Sequence, residues 1–354
     1  MASKICIYYL EDDITLFYTL YPLLTIKKYR QLFYFTTDLD YVLNRSEEES
    51  LILVRFFKRR EIAEDHNILQ RIRDRYKRVI YLDDTASADE LNNTVFPFID
   101  YYLKKQMYRD KGLYLKSAYG RRAYSDYYHN RYRVVDDNEN IREPLDEKYL
   151  EKMHPLWNLG IGCYPKAKHR NGLARRIHPY FGLHGIKLLY KSPTKYKSKI
   201  PSDHKISARY GMKFDRNTVA FHRKIYEKTV KENPLFLTGR VPIRQYNREL
   251  STVMATFSPF GWGEVCFRDF EAIINKSVLI KPNMSHIETW PNLYRENETY
   301  WPVDWDSRDL KEKSLELMEN PQLIKYLSEN ALDVYLSAFT QLEEKVSSVL
   351  ELIS

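Results

Sequence analysis

With 354 residues, the chain is too long for one ordinary hydrophobic core, and two domains of roughly 150–200 residues each are expected. Hydrophobic residues at 44% and charged residues at 29% mark a soluble globular chain and exclude a disordered one. The formal charge of +8 suits an anionic partner: a nucleotide diphosphate, an acidic membrane face or nucleic acid.

No run approaches the roughly 18 apolar residues of a membrane helix, and Met1–Tyr9 reads as a first strand, not a signal peptide. Cys6, Cys163 and Cys266 are scattered, without metal-ligand spacing. An odd count with no secretory signal implies buried thiols in a reducing compartment. The cytoplasm is the expected address, with peripheral contact to an inner membrane as an option.

In the first half, strands at Lys4–Tyr9, Leu51–Phe56 and Val79–Leu82 alternate with helical stretches such as Ile68–Arg78. That alternation predicts a parallel sheet with helices on its faces. The third strand runs into Asp83-Asp84-Thr85, at the carboxyl end of a strand where open α/β sheets bind ligands. The stretch Tyr119–Arg133 interleaves tyrosines with basic residues. It could track phosphates, rest on an anionic membrane, or be a solvated amphipathic cover for the N-terminal domain.

Lys191–Lys205, rich in Pro, Ser and Lys, reads as an exposed linker. Beyond it, strands at Lys205–Arg209, Leu235–Leu237, Ala255–Phe257 and Val278–Lys281 alternate with helices at Thr218–Lys231, Tyr246–Met254 and Phe267–Ile274. From Arg308 the pattern is helical, broken near Pro321. The expected organisation is an N-terminal domain over 1–200, a second α/β domain over 201–335, and a last helix over 336–354 packing back on the first.

The strongest local signal is Ser258-Pro-Phe-Gly-Trp-Gly-Glu-Val-Cys-Phe-Arg-Asp-Phe-Glu-Ala272, a glycine turn entering a helix. Arg268 and Glu271, at i and i+3, share one face near its start. A guanidinium beside free backbone N–H groups suits a diphosphate, and a carboxylate one turn further suits ribose hydroxyls. An ordinary ion pair after a glycine turn would carry the same pattern.

This stretch, continuing to Pro291, resembles the donor-site signature of bacterial GT-B glycosyltransferases of the surface-polysaccharide, exostosin-like group. Trp157–Gly160 and Asp100–Gln106 also resemble segments of that group. Thr238–Pro242, Arg268 with Glu271, and Arg209–Lys213 are similar, more faintly, to the phage enzyme that glucosylates hydroxymethylated DNA bases. The resemblance implies a GT-B fold, two Rossmann-like domains facing each other across a cleft. It also implies transfer from a nucleotide-sugar, with UDP-sugars the expected donor class, to a hydroxyl acceptor. Glu271 would then bind the ribose, while Arg268, Arg209 and Lys213 would hold the diphosphate. The carboxylate pair of the larger GT-B families, with seven residues between its members, is absent, since six lie between Glu264 and Glu271. Glu264 is therefore open between orienting the sugar and solvating the turn. Arg240 could contact phosphate, and His286 could face the donor or serve the structure.

The phage enzyme carries an aspartate after an N-domain strand, and Asp83 and Asp84 stand at the matching place. Inverting transfer needs a carboxylate to take the acceptor proton, and adjacent carboxylates raise each other's pKa. An Asp-Asp helix cap is the bland alternative. GT-B chemistry stabilises the leaving diphosphate with Arg, Lys and helix dipoles, so no metal or other cofactor is expected. The acceptor is expected to be a surface glycan or lipid-linked glycan. Two rivals are a modified DNA base as acceptor, and a non-catalytic nucleotide-sugar or glycan binder.

Overall fold

The computed structural model describes residues 5–10, 16–44, 50–54, 62–162, 171–189 and 192–353. The first lobe contains β1 (Ile5–Tyr9), β2 (Phe33–Thr36), β3 (Ser50–Val54), β4 (Arg78–Asp83), β5 (Tyr101–Lys104), β6 (Gln106–Tyr108), β7 (Ala118–Tyr119), β8 (Ile141–Arg142) and β9 (Met153–Pro155). The second contains β10 (Asp203–Ser207), β11 (Phe236–Leu237), β12 (Val253–Phe257), β13 (Val278–Pro282), β14 (Ile287–Thr289) and β15 (Trp301–Val303).

Six strands form one sheet in the order β2-β1-β3-β4-β5-β9, and five form another in the order β11-β10-β12-β13-β15. Every pairing inside these two sheets is parallel. The continuous apolar runs explain this: all five residues of β1 and of β13 are buried, which only a sheet covered on both faces can achieve. Two parallel α/β sheets facing each other across a cleft make the GT-B architecture that the sequence led us to expect.

Some boundaries move. The helix expected at 68–78 runs Ile62–Arg73, where Arg73 donates to Asp100 at 2.6 Å, and β4 begins at Arg78. The helix expected at 246–254 runs Ile243–Leu250. Pro242 fixes its entry, and the buried Val253 starts β12 instead. Part of the expected strand at 51–56 lies outside the described residues, as does Cys163. Cys6 is buried and Cys266 half-buried.

The C-terminal helices are Leu310–Met318, Pro321–Thr340 and Leu342–Ile353. The last packs on the helix Leu16–Thr25 of the first lobe. Ser50 donates to the Ile353 carbonyl at 2.9 Å, and Lys345 to that of Pro155 at 3.0 Å. The return to the first lobe begins earlier, inside Pro321–Thr340, where the Tyr335 hydroxyl donates to the Gly160 carbonyl at 2.8 Å. Among the described residues, no helix is long and apolar enough to cross a membrane.

The lobes are stitched directly. β6 and β14 pair antiparallel, one strand from each side. The helix Ala123–Tyr132 packs on Asn217–Glu232. Tyr124 donates to the Gly261 carbonyl at 2.5 Å, the Thr218 amide to Asp136 at 2.7 Å, and Asn158 to Thr289 at 3.0 Å. Here the Tyr/Arg-rich stretch is more deeply packed than a solvated cover: Tyr119, Tyr124 and Tyr128 are buried, while Asn130, Arg131, Tyr132 and Arg133 stay exposed. Its tyrosines supply area to the interface while their hydroxyls satisfy buried partners, which is why so many stand together.

Candidate active site

A cleft of about 2070 Å³ opens between the two sheets. Its second-lobe wall is built on the helix Phe267–Ile274. Asp269 fixes the start of that helix, accepting from the Cys266 amide at 3.0 Å, from Ser258 at 2.5 Å and from Tyr294 at 2.8 Å. Lys281 of β13 completes the buried set at 3.1 Å. With the turn so held, Arg268 and Glu271 both line the cleft. Glu271 accepts from the Tyr246 hydroxyl at 2.6 Å. Arg268 donates to the Arg209 carbonyl at 3.3 Å, and its buried Nε has no hydrogen-bond partner.

Beside Arg268 stands Arg223, a buried arginine that sequence reading passed over. It donates to the carbonyls of Phe260 at 2.7 Å and Gly211 at 2.6 Å. Burial, with the charge of Arg268 adding to it, pushes the Arg223 guanidinium down to about 10. Neither arginine forms an ion pair with a carboxylate among the described residues. Two adjacent guanidiniums without a counter-ion make a strong local positive field, the electrostatic setting for an anion. Nothing in the local sequence marked Arg223. It lies among the buried residues of the helix Asn217–Glu232 and reaches the cleft only through the fold.

Lys213 and Arg240 line the same cleft from exposed positions. Arg209 also lines it, yet its guanidinium is occupied. It clasps Glu249 through two contacts of 2.9 Å and donates to the Thr238 carbonyl, so it holds the loop carrying Gly239 and Arg240. The clasp fixes the guanidinium while Arg209 still lines the cleft.

Across the cleft, Asp84 is buried and lines the wall just beyond β4. Asp83 does not. It faces the lobe interior, within 2.6 Å of both Lys104 Nζ and the Tyr102 hydroxyl, and accepts from the Thr85 amide at 2.8 Å. Burial raises its carboxyl, but Lys104 and these hydrogen bonds outweigh burial and hold it below the ordinary value. Consecutive residues leaving a strand point to opposite sides, so the pair does not share a site.

Glu264 and His286 are also off the cleft wall. Glu264 is fully buried and accepts from Ser87 at 2.9 Å and from the Ala88 amide at 3.0 Å, joining the glycine turn to the loop after Asp84. The adjacent Gly263 permits this: a Cβ there would lie 1.6 Å from the Ala86 carbonyl oxygen. His286 packs its ring 5.0 Å from that of Trp305, and burial pushes its imidazole down to about 4.

No family model matches the chain, and no curated protein matches it in sequence. It is similar in structure to TarM of S. aureus at 8% identity and a TM-score of 0.48, over 89% of this chain and 57% of that one. This chain thus spans little more than half the length of TarM. It is similar to HepE of Anabaena, solved with UDP and glucose, at 9% identity and a TM-score of 0.45, over 99% of each chain. It is also similar to the T4 phage beta-glucosyltransferase at 12% identity and a TM-score of 0.41, over 99% of each.

Proposed function

We propose that this chain is a nucleotide-sugar-dependent glycosyltransferase that moves a sugar onto a glycan hydroxyl with inversion. The observation that carries this reading is a cleft with two unneutralised arginines, Arg268 and Arg223, beside Glu271 on one wall and Asp84 on the other. Arg268 and Arg223 hold the diphosphate, with Lys213 and Arg240 closing over it from the rim. Glu271, oriented by Tyr246, accepts from the ribose hydroxyls.

Asp84 takes the proton of the acceptor hydroxyl as its oxygen bonds to the anomeric carbon. The bond from that carbon to the diphosphate oxygen breaks on the opposite face, and its electron pair leaves with the nucleoside diphosphate. Fixed guanidiniums and the start of the helix Phe267–Ile274 meet that charge without reorganising. On this reading transfer needs no metal and continues in a chelator.

A thermal-shift panel of nucleotide sugars tests the donor site, since ligand binding stabilises the folded state by linkage. UDP and one UDP-sugar should raise Tm in the wild type and much less in Arg268→Ala. If no nucleotide or nucleotide sugar stabilises the protein, the reading fails. Donor that binds but is never transferred or hydrolysed would instead mark a binding protein.

A further inference from the structure

The turn Tyr119-Gly120-Arg121-Arg122 enters the cleft from the first lobe. Gly120 and Arg121 both have left-handed backbones, with φ of 72° and 53°. Glycine takes that conformation freely, whereas a long side chain is uncommon there. That backbone places the Arg121 side chain on the cleft wall.

Its neighbours in space show what a structural arginine looks like here. Arg122 donates to the Trp262 carbonyl at 2.7 Å and to that of Gly120 at 3.1 Å, and lies 5.4 Å from the Trp262 ring. Arg216 donates to the Gly120 carbonyl at 2.8 Å. Arg121 forms no ion pair among the described residues, and its buried Nε has no hydrogen-bond partner. A left-handed backbone thus holds a half-buried cation on the cleft wall, its buried Nε without a hydrogen-bond partner.

This wall is separate from the Arg268 wall by lobe, and it also carries Tyr18, Thr19, Tyr81, Asn92 and Thr94. Hydroxyl and amide groups of that kind hydrogen-bond sugars. Tyr119, Tyr124 and Tyr128 are buried away from this wall, while Tyr18, Tyr81 and Trp262 line the cleft.

Resting on the transferase reading above, we infer that Arg121 forms an acceptor-side anion site, and that the acceptor is a glycan bearing a phosphate near the hydroxyl that receives the sugar. The test fills the donor site with saturating UDP and titrates glucose 6-phosphate, glucose, or duplex DNA carrying hydroxymethylated bases, by calorimetry. Glucose 6-phosphate should bind at least tenfold more tightly than glucose. Arg121→Gln and Arg121→Gly should each weaken it about ten- to a hundredfold, as loss of a charge-assisted contact requires, with UDP affinity unchanged. Arg121→Gly should also melt no lower than wild type, because glycine suits the left-handed backbone. A purely structural arginine would behave oppositely.

Equal binding of glucose and its phosphate, or full binding by both variants, overturns the proposal. So does an Arg121-dependent affinity seen with the duplex and not with the sugar phosphate. Failure of UDP to bind at all sinks the transferase reading instead, and the Arg121 comparison is then read on the free protein.

Discussion

The Ser87 hydroxyl donates to Glu264 at 2.9 Å, and this bond ties the turn that leads to Arg268 to the loop that follows Asp84. The two walls of the cleft are therefore mechanically coupled through one buried carboxylate, which also accepts from the Ala88 amide. Glu264→Ala should cost about 2–4 kcal/mol in urea denaturation, because both donors are left buried without an acceptor. Gly263→Ala should be worse, since its methyl group would overlap the Ala86 carbonyl. If either variant unfolds at the wild-type midpoint, the contact does not hold the lobes.

Removing Arg268 should separate binding from folding. Arg268→Ala and Glu271→Ala should each weaken UDP-sugar affinity, the arginine by about 1.5–3 kcal/mol for a charge-assisted phosphate contact. Relieved of the neighbouring charge, Arg223 keeps its carbonyl contacts, so the folded state should survive. Unchanged donor affinity in both variants would remove the donor-site assignment.

The two aspartates should part company. Asp84→Asn should leave donor affinity intact while transfer falls 10²–10⁴-fold, a general base's typical contribution. Asp83→Asn should act on stability instead, by about 3–5 kcal/mol, because it leaves the fully buried Lys104 without its counter-charge. Steady-state transfer and chemical denaturation on both variants decide between these roles. Full transfer by Asp84→Asn, or a product that retains the donor's anomeric configuration, puts the base elsewhere.

Acid should weaken the lobe interface through His222. Burial, then the charges of Arg223 and Lys281, hold its imidazole well below 6.5. The Phe260 amide donates to Nε2 at 2.9 Å, so the ring is neutral and its Nδ1 proton faces the Tyr128 hydroxyl at 2.8 Å. With the folded value depressed, stability is complete above about pH 6.5. It falls with pH below that, by at most about 1.4 kcal/mol per unit for each such group. His286, at about 4, adds a second contribution over the same window. Asp83 enters only below the ordinary carboxyl value of 3.8. Tm measured from pH 8 to 5 should therefore decline at the acid end, and His222→Gln should flatten that decline by about half. An unaltered slope in the variant would show that His222 titrates freely.

The sequence alone was enough to read two α/β halves, because buried parallel strands leave continuous apolar runs and helices leave a 3.6-residue period. It also located the helix Phe267–Ile274, whose glycine turn and i, i+3 pair are local signals. What it did not reveal depends on contacts between residues far apart in the chain. Arg223 and Arg121 became cleft residues only through the fold. Arg209 was taken up by Glu249, forty residues away. Asp83 and Asp84 look equivalent in a string of letters, yet one meets Lys104 and the other the cleft. The tyrosine-rich stretch looked like a surface because it is polar and charged. Its hydroxyls instead find partners across the interface, and burial of a polar group is decided by whether tertiary structure supplies its hydrogen bond.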